Sequence, residues 1–165
     1  MHIGLRDFRW LPGDIKRRIL LAAIQWFSNA DYAPRGRKMF MLGFAIDSGR
    51  DATLNGCRFR VKDQTLSIYR EPRAVKSLEC PSSEIWDNRW QMSGPHADGL
   101  TIRALGAEGL MLCNGWRETK IPRDALLVSP AIWHKDALIA APVAGFHQGW
   151  QAKLRVSLNE SVLSH

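Results

Sequence analysis

Cysteine is scarce in this chain, with only Cys57, Cys80 and Cys113, odd in number and far apart. No C-x-x-C occurs, so neither a zinc ribbon nor a redox pair is supported, and reduced thiols of a cytoplasmic protein are the expectation. The five histidines, His2, His96, His134, His147 and His165, lack ligand spacing, so no metal site is expected. No apolar run approaches the roughly 18 residues of a membrane span. The start, "MHIGLRDFRWLPGD", has no apolar core and no small-residue cleavage site, so no secretory signal is read there. Also missing are G-x-x-x-x-G-K-[ST], G-x-S-x-G and H-E-x-x-H. No catalytic residue is assigned. Cys57 beside Arg58 invites a thiolate reading. However, Cys57 falls among the apolar residues of its strand, where cysteine behaves as a small buried hydrophobe.

What is present is charge in one place. The chain has 165 residues and a formal charge of +7. Met1 to Val75 carries 14 Lys and Arg against 7 Asp and Glu, while Lys76 to His165 carries 9 of each. The whole basic excess therefore lies in the first half. A basic half joined to a neutral one points to an acidic partner, of which nucleic acid is the commonest.

The periodicities order the chain into helices and then strands. In "LPGDIKRRILLAAIQWFSNA", Ile15, Ile19, Ala22 and Trp26 form one helical stripe. Leu20, Ile24 and Phe27 form a second beside it. Pro12 and Asp14 suit the first turn, and Lys16, Arg17 and Arg18 take the polar face. A second helix follows Pro34, with Met39, Leu42 and Ile46 as its stripe and Gly49 as its stop. Between the two helices, Asp31 and Tyr32 read as a loop stiffened by packing of the tyrosine. From Asp51 the period changes to two. Cys57, Phe59 and Val61 alternate with Arg58, Arg60 and Lys62, Asp63-Gln64 breaks the pattern, and Leu66 and Ile68 resume it. This is a hairpin with one apolar and one basic face. Asp87-Asn88, between Trp86 and Arg89, suits a tight hairpin turn. "GLTIRALG" is a short strand, "IPRDALLVSP" a brief helix and "AIWHKDALIAAPVAG" a hairpin turning at His134 to Asp136. The second strand of that hairpin is expected to be buried on both faces. "WQAKLRVSL" is a last strand. The fold class expected is α+β: an N-terminal helical hairpin over 1–49, then a mostly antiparallel β-rich domain with a short helix over 50–165.

Basic side chains interleaved with aromatics are the functional signal. The candidate RNA-binding residues are Arg35, Arg37, Lys38, Arg58, Arg60, Lys62 and Arg70, with Arg89, Arg117 and Lys120 as a second group. They predict phosphate contacts and carry no information on base sequence.

Taken in order, "LP…RRILLAAIQW…ADYAPR", "ATLNGCRFR…LSIYREPRAV", "IWDNRW", "IRALGAEGL", "IPRDALLVSPAIWHKDALIAAPVAGF" and "VLSH" resemble the C-terminal part of alphaproteobacterial tRNA(Ile)-lysidine synthase. The likeness covers nearly the whole chain. Small departures are Ala33, where the family has a second proline, and Asn55, where it has glycine. The resemblance implies a ligase of tRNA modification, which uses ATP to adenylate an anticodon cytidine that lysine then attacks. That chemistry, with its ATP and Mg, belongs to a domain whose S-G-G-x-D-S type loop is absent from this sequence. The part resembled is the non-catalytic, tRNA-binding one, so no cofactor is expected in this chain and none of its residues is expected to catalyse. Its implied partners are tRNA(Ile) and the catalytic phosphate-loop domain. A homodimer is left open. The rival reading is a stand-alone RNA- or protein-binding module with no enzymatic role.

Overall fold

The computed structural model describes residues 1–28 and 34–155. Asp31, Tyr32, Ala33 and the closing "VLSH" lie outside them. The chain divides after Glu71 into two compact units, not after residue 49. The 52–70 strands supply the surface on which the first helices bury their apolar sides, so helices and strands there share one core.

The first unit begins with a strand, β1 (His2–Gly4), and a short helix, α1 (Leu5–Trp10). Two longer helices follow, α2 (Gly13–Ser28) and α3 (Gly36–Asp47). Then come β2 (Ala52–Leu54), β3 (Cys57–Lys62) and β4 (Thr65–Arg70). The strands form one antiparallel sheet in the order β1-β4-β3-β2. Both tight connections use left-handed backbone, Asn55-Gly56 and Asp63-Gln64, each with positive φ at both residues. That is the two-residue turn whose twist matches the strands. Asn55 is among the few non-glycine residues that adopt it readily, so its departure from glycine is conformationally inexpensive.

One face of this sheet is apolar. Cys57, Phe59, Leu66 and Ile68 are fully buried against Leu5, Phe8, Leu20, Ala23, Ile24, Phe27, Met39, Leu42 and Ile46. On α2 the deep stripe is Leu20, Ala23, Ile24 and Phe27, while Ile15, Ile19 and Trp26 are only half-buried. The stripe with Trp26 is therefore the flank, and that with Phe27 the core. Pro12 accepts the first helical bond, from Lys16 N–H at 3.0 Å. α3 ends as the glycine predicts. Gly49 (φ +73°) donates to Ile46 O at 2.9 Å and Arg50 to Ala45 O at 2.8 Å, the paired bonds that satisfy the last carbonyls.

The second unit is mostly antiparallel strand with short helices between. In order it has α4 (Pro72–Val75), β5 (Glu79–Pro81), β6 (Ile85–Trp86), β7 (Trp90–Ser93), β8 (Leu100–Ala104) and α5 (Gly106–Leu112). A 3-10 turn at Trp116–Thr119, α6 (Arg123–Leu127), β9 (Pro130–His134), β10 (Ala137–Ala140) and β11 (Gln151–Leu154) complete it. Two sheets result, β10-β9-β8-β5 and β11-β7-β6. The β6–β7 hairpin turns at Asp87-Asn88, both at positive φ. Of the 130–140 hairpin, the first strand is the one buried on both faces. Ile132 enters a core with Trp86, Met92, Ile102 and Trp150, while Ala131 and Trp133 enter another with Leu105, Leu110 and Leu126. β10 is the sheet edge and only Ala140 in it is fully buried. An edge strand has a neighbour on one side only, so less covers it. Gly94 closes the packing beside Trp150: a Cβ there would lie 2.4 Å from the indole Cδ2.

Candidate nucleic-acid interface

Strand register decides which cations share a face, because residues directly opposite in an antiparallel pair point the same way. Arg58 lies opposite Tyr69 and Thr53, Arg60 opposite Ser67, and Lys62 opposite Thr65, while Ser67 lies opposite His2 on its other side. The face away from the helices therefore carries three cations among hydroxyl groups, Lys62 exposed and Arg58 and Arg60 half-buried, with Tyr69 beside Arg58 buried. His2 Nδ1 is 2.9 Å from Ser67 Oγ, and burial, then the chain's amino group, lowers its pKa. It is thus a neutral hydrogen-bonding group on this face near pH 7. Two of the three have weak acidic neighbours. Arg58 is 3.9 Å from Asp51 and Lys62 is 3.8 Å from Asp63, long and exposed pairs of the kind worth about 0–1 kcal/mol.

Arg37 and Lys38 are exposed in the first turn of α3, and Arg35 precedes it. That turn contains no acidic residue, so the positive end of the helix adds to the three cations. Arg37, Lys38, Met41 and Leu42 face Ala52, Thr53 and Leu54 across a groove of about 570 Å³. Thr53 is the register partner of Arg58. The start of α3 and the basic sheet face are thereby joined through β2 into one surface.

Arg70 is not on it. It lies opposite Cys57, on the helix-covered side, where it donates to Gly56 O at 3.3 Å. Arg89 is also engaged structurally: it is buried and bonds Asp87 at 2.6 Å beneath the β6–β7 turn. Arg103 lies over the Trp133 ring at 4.4 Å and donates to Lys135 O at 2.6 Å. Arg117 stacks on Trp116 at 4.5 Å and, with Arg123 and Asn114, lines a cleft of about 300 Å³. Lys120 ends the same 3-10 turn, exposed and at positive φ. The sequence does not single out Arg123 or Asn114, since "IPRD" reads first as a helix start. The second unit thus has one smaller basic patch of its own.

Cys57 is fully buried, burial raises the pKa of Cys113, and burial with Glu84 and Glu79 raises that of Cys80. Among the described residues no group of three or more His, Cys, Asp or Glu side chains is placed to hold a metal ion. Among them, too, no helix is long and apolar enough to cross a membrane.

Fold and site together define a basic α+β module whose cations lie on sheet, helix end and turn. The chain is 39% identical over 163 residues to the tRNA(Ile)-lysidine synthase of Ruegeria pomeroyi, a match that takes in 97% of this chain and 39% of that protein. It is 31% identical over 97 residues to the enzyme of the same name from Wolbachia pipientis wMel, covering 54% of this chain and 22% of that protein. A third enzyme of that name, from the Wolbachia of Brugia malayi, is 30% identical over 114 residues. The chain corresponds to the C-terminal portion of an alphaproteobacterial tRNA(Ile)-lysidine synthase and spans about two-fifths of the first relative. No protein-family profile matches it, and no solved structure does.

Proposed function

We propose that this chain is the tRNA-holding portion of a tRNA(Ile)-lysidine synthase. In this reading it grips tRNA(Ile) by its phosphates in the cytoplasm. It thereby presents the anticodon cytidine to a phosphate-loop domain that binds ATP and Mg and attaches lysine. The observation that carries the reading is the joined basic surface of the first unit, from Arg35, Arg37 and Lys38 across the groove to Arg58, Arg60 and Lys62. It lies in a chain that matches a lysidine synthase along nearly its whole length. Cations on a twisted sheet and a helix end suit a folded RNA backbone, whose affinity comes from phosphate neutralisation and counterion release. The hydroxyls of Thr53, Thr65 and Ser67 add neutral donors on the same face.

The test is filter binding of the chain to a tRNA(Ile) transcript over a salt series. Binding is expected to weaken steeply with salt, by about 0.7–0.9 in log K against log salt for each phosphate neutralised. The chain alone is expected neither to release AMP nor to form lysidine when given tRNA, ATP and lysine. Salt-independent binding, or lysidine made by the chain alone, contradicts the proposal.

A further inference from the structure

The helix α3 has two apolar sides, and the core uses one. Met39, Leu42 and Ile46 are buried. Phe40, Met41 and Phe44, on the opposite side, are 71%, 57% and 53% exposed. Three large apolar side chains so close together are more than the scatter of single exposed hydrophobics that soluble proteins show. Gly36 and Gly43 flank them, and a Cβ built at either would meet nothing within 4 Å.

We propose that this face is the docking surface for the N-terminal portion of a lysidine synthase. The inference rests on the function proposed above and adds to it the surface by which that partner is held. Three observations choose the occupant. The relative that matches 97% of this chain has about three-fifths of its length outside the match, and this chain corresponds to its C-terminal portion. In that relative the remainder therefore leads into the segment equivalent to β1 and α1. In this chain α1 is tied to the end of α3: Arg9 donates to Asp47 O at 2.9 Å, and Lys16 at the start of α2 reaches the Asp47 carboxylate at 3.2 Å. Trp10, next to Arg9, is itself 81% exposed. A body delivered through α1 arrives beside the helix that carries the unused apolar face. The centre of the face favours protein over RNA: Phe40, Met41 and Phe44 offer apolar surface and no polar side chain, while its cations, Arg37 and Lys38 in the first turn of α3 and Arg50 over the Phe44 ring at 5.5 Å, stand at its ends.

The test uses a full-length protein, made by joining residue 1 of this chain to the N-terminal portion of the 39%-identical relative. Its lysidine activity shows that it is folded. Hydroxyl-radical oxidation is compared, without tRNA, between this protein and the chain alone. Met41 is the reporter on the face, and Met111, 75% exposed in the second unit, is the internal reference. Oxidation of Met41, Phe40 and Phe44 is expected to fall severalfold in the full-length protein, with Met111 changing less. Phe40→Ser and Phe44→Ser, made singly and together, are expected to restore oxidation of Met41 and lower lysidine formation. They should leave the chain's affinity for tRNA unchanged. Equal oxidation of Met41 in the two forms overturns the docking surface. The tRNA-holding reading stands or falls separately, on the salt series. Concentration-dependent protection in the chain alone assigns the face to a second copy and overturns the proposal. So does protection of Phe40 and Phe44 that appears only when tRNA is added, which assigns the face to RNA; Met41, which also lines the groove beside Arg37 and Lys38, does not decide this arm.

Discussion

The sheet of the first unit is covered by helices on one face, whereas the central strand of the second unit is covered on both. The first arrangement leaves a second face that carries Arg58 and Arg60, half-buried beside the buried Tyr69, and the exposed Lys62. The second scatters its cations. Arg89 goes beneath a turn and Arg103 onto an indole, and Arg117 and Arg123 are left to line a small cleft. The neutral balance of residues 76–165 reflects nine acids beside nine cations, of which Arg89 and Arg103 are engaged within the unit and the others are exposed. The basic balance of residues 1–75 reflects fourteen cations beside seven acids, with Arg58, Arg60 and Lys62 gathered on one strand face.

That contrast can be broken at its base. Ile132→Ala, in the doubly covered strand β9, is expected to cost about 2–5 kcal/mol, because the cavity it leaves is enclosed on both sides. Leu138→Ala, in the half-buried edge strand β10, should cost well under half as much. Urea melts of the two variants measure this, and equal destabilisation would mean that the strands are not covered as described.

The next effect in size is on binding. Changing Arg58, Arg60 and Lys62 together to Gln is expected to weaken tRNA binding by about 1–3 kcal/mol at low salt. The salt slope should drop by about 0.7–0.9 for each phosphate no longer neutralised. The matching change of Arg117 and Arg123 to Gln should have a smaller effect, and Arg70→Gln almost none. Circular dichroism of each variant checks folding. A larger drop in affinity from the 117/123 pair would reverse the ranking of the two units.

The smallest effect concerns thiols. Cys57 is buried, and Cys80 and Cys113 have raised pKa values. All three should therefore alkylate more slowly in the native chain than in urea. The folded state holds these last two thiol protons more tightly than the unfolded chain does. Their contribution to stability is thus present at neutral pH and is lost as pH rises above the ordinary thiol range. Fast native labelling at Cys57 would revive a nucleophilic reading of that residue.

Much of the fold is legible in the residues. The helices α2 and α3 and the hairpins at 63–64 and 87–88 follow from period and from side chains that tolerate left-handed backbone. What is not legible has physical reasons. β1 and α1 are three and six residues long, too short for a full hydrophobic period. The two stripes of α2 are equally apolar, so only tertiary packing decides that Phe27 goes deeper than Trp26. In "AIWHKDALIA" both strands are apolar on both faces. Which of them is central depends on β8, a strand from well upstream that pairs with β9 and not with β10. Arg70 looks like part of a basic run until register places it opposite Cys57. Arg89 looks exposed until its turn folds Asp87 onto it. The groove that joins α3 to β2 is a meeting of two elements that no single window of sequence contains.

The pairing of β1 with β4 has a kinetic consequence. His2 meets Ser67 across 65 positions of chain, while β3 and β4 are joined by a two-residue turn. A hairpin of that kind closes in microseconds, and loop-closure entropy rises by about 0.6 kcal/mol with each doubling of the loop. The hairpin carrying Arg58, Arg60 and Lys62 is therefore expected to form first and β1 to join it late. On a ribosome, β1 must wait until Ser67 has emerged before its edge of the sheet exists. The order of synthesis thus makes the basic hairpin the template onto which a strand made well before it is fitted.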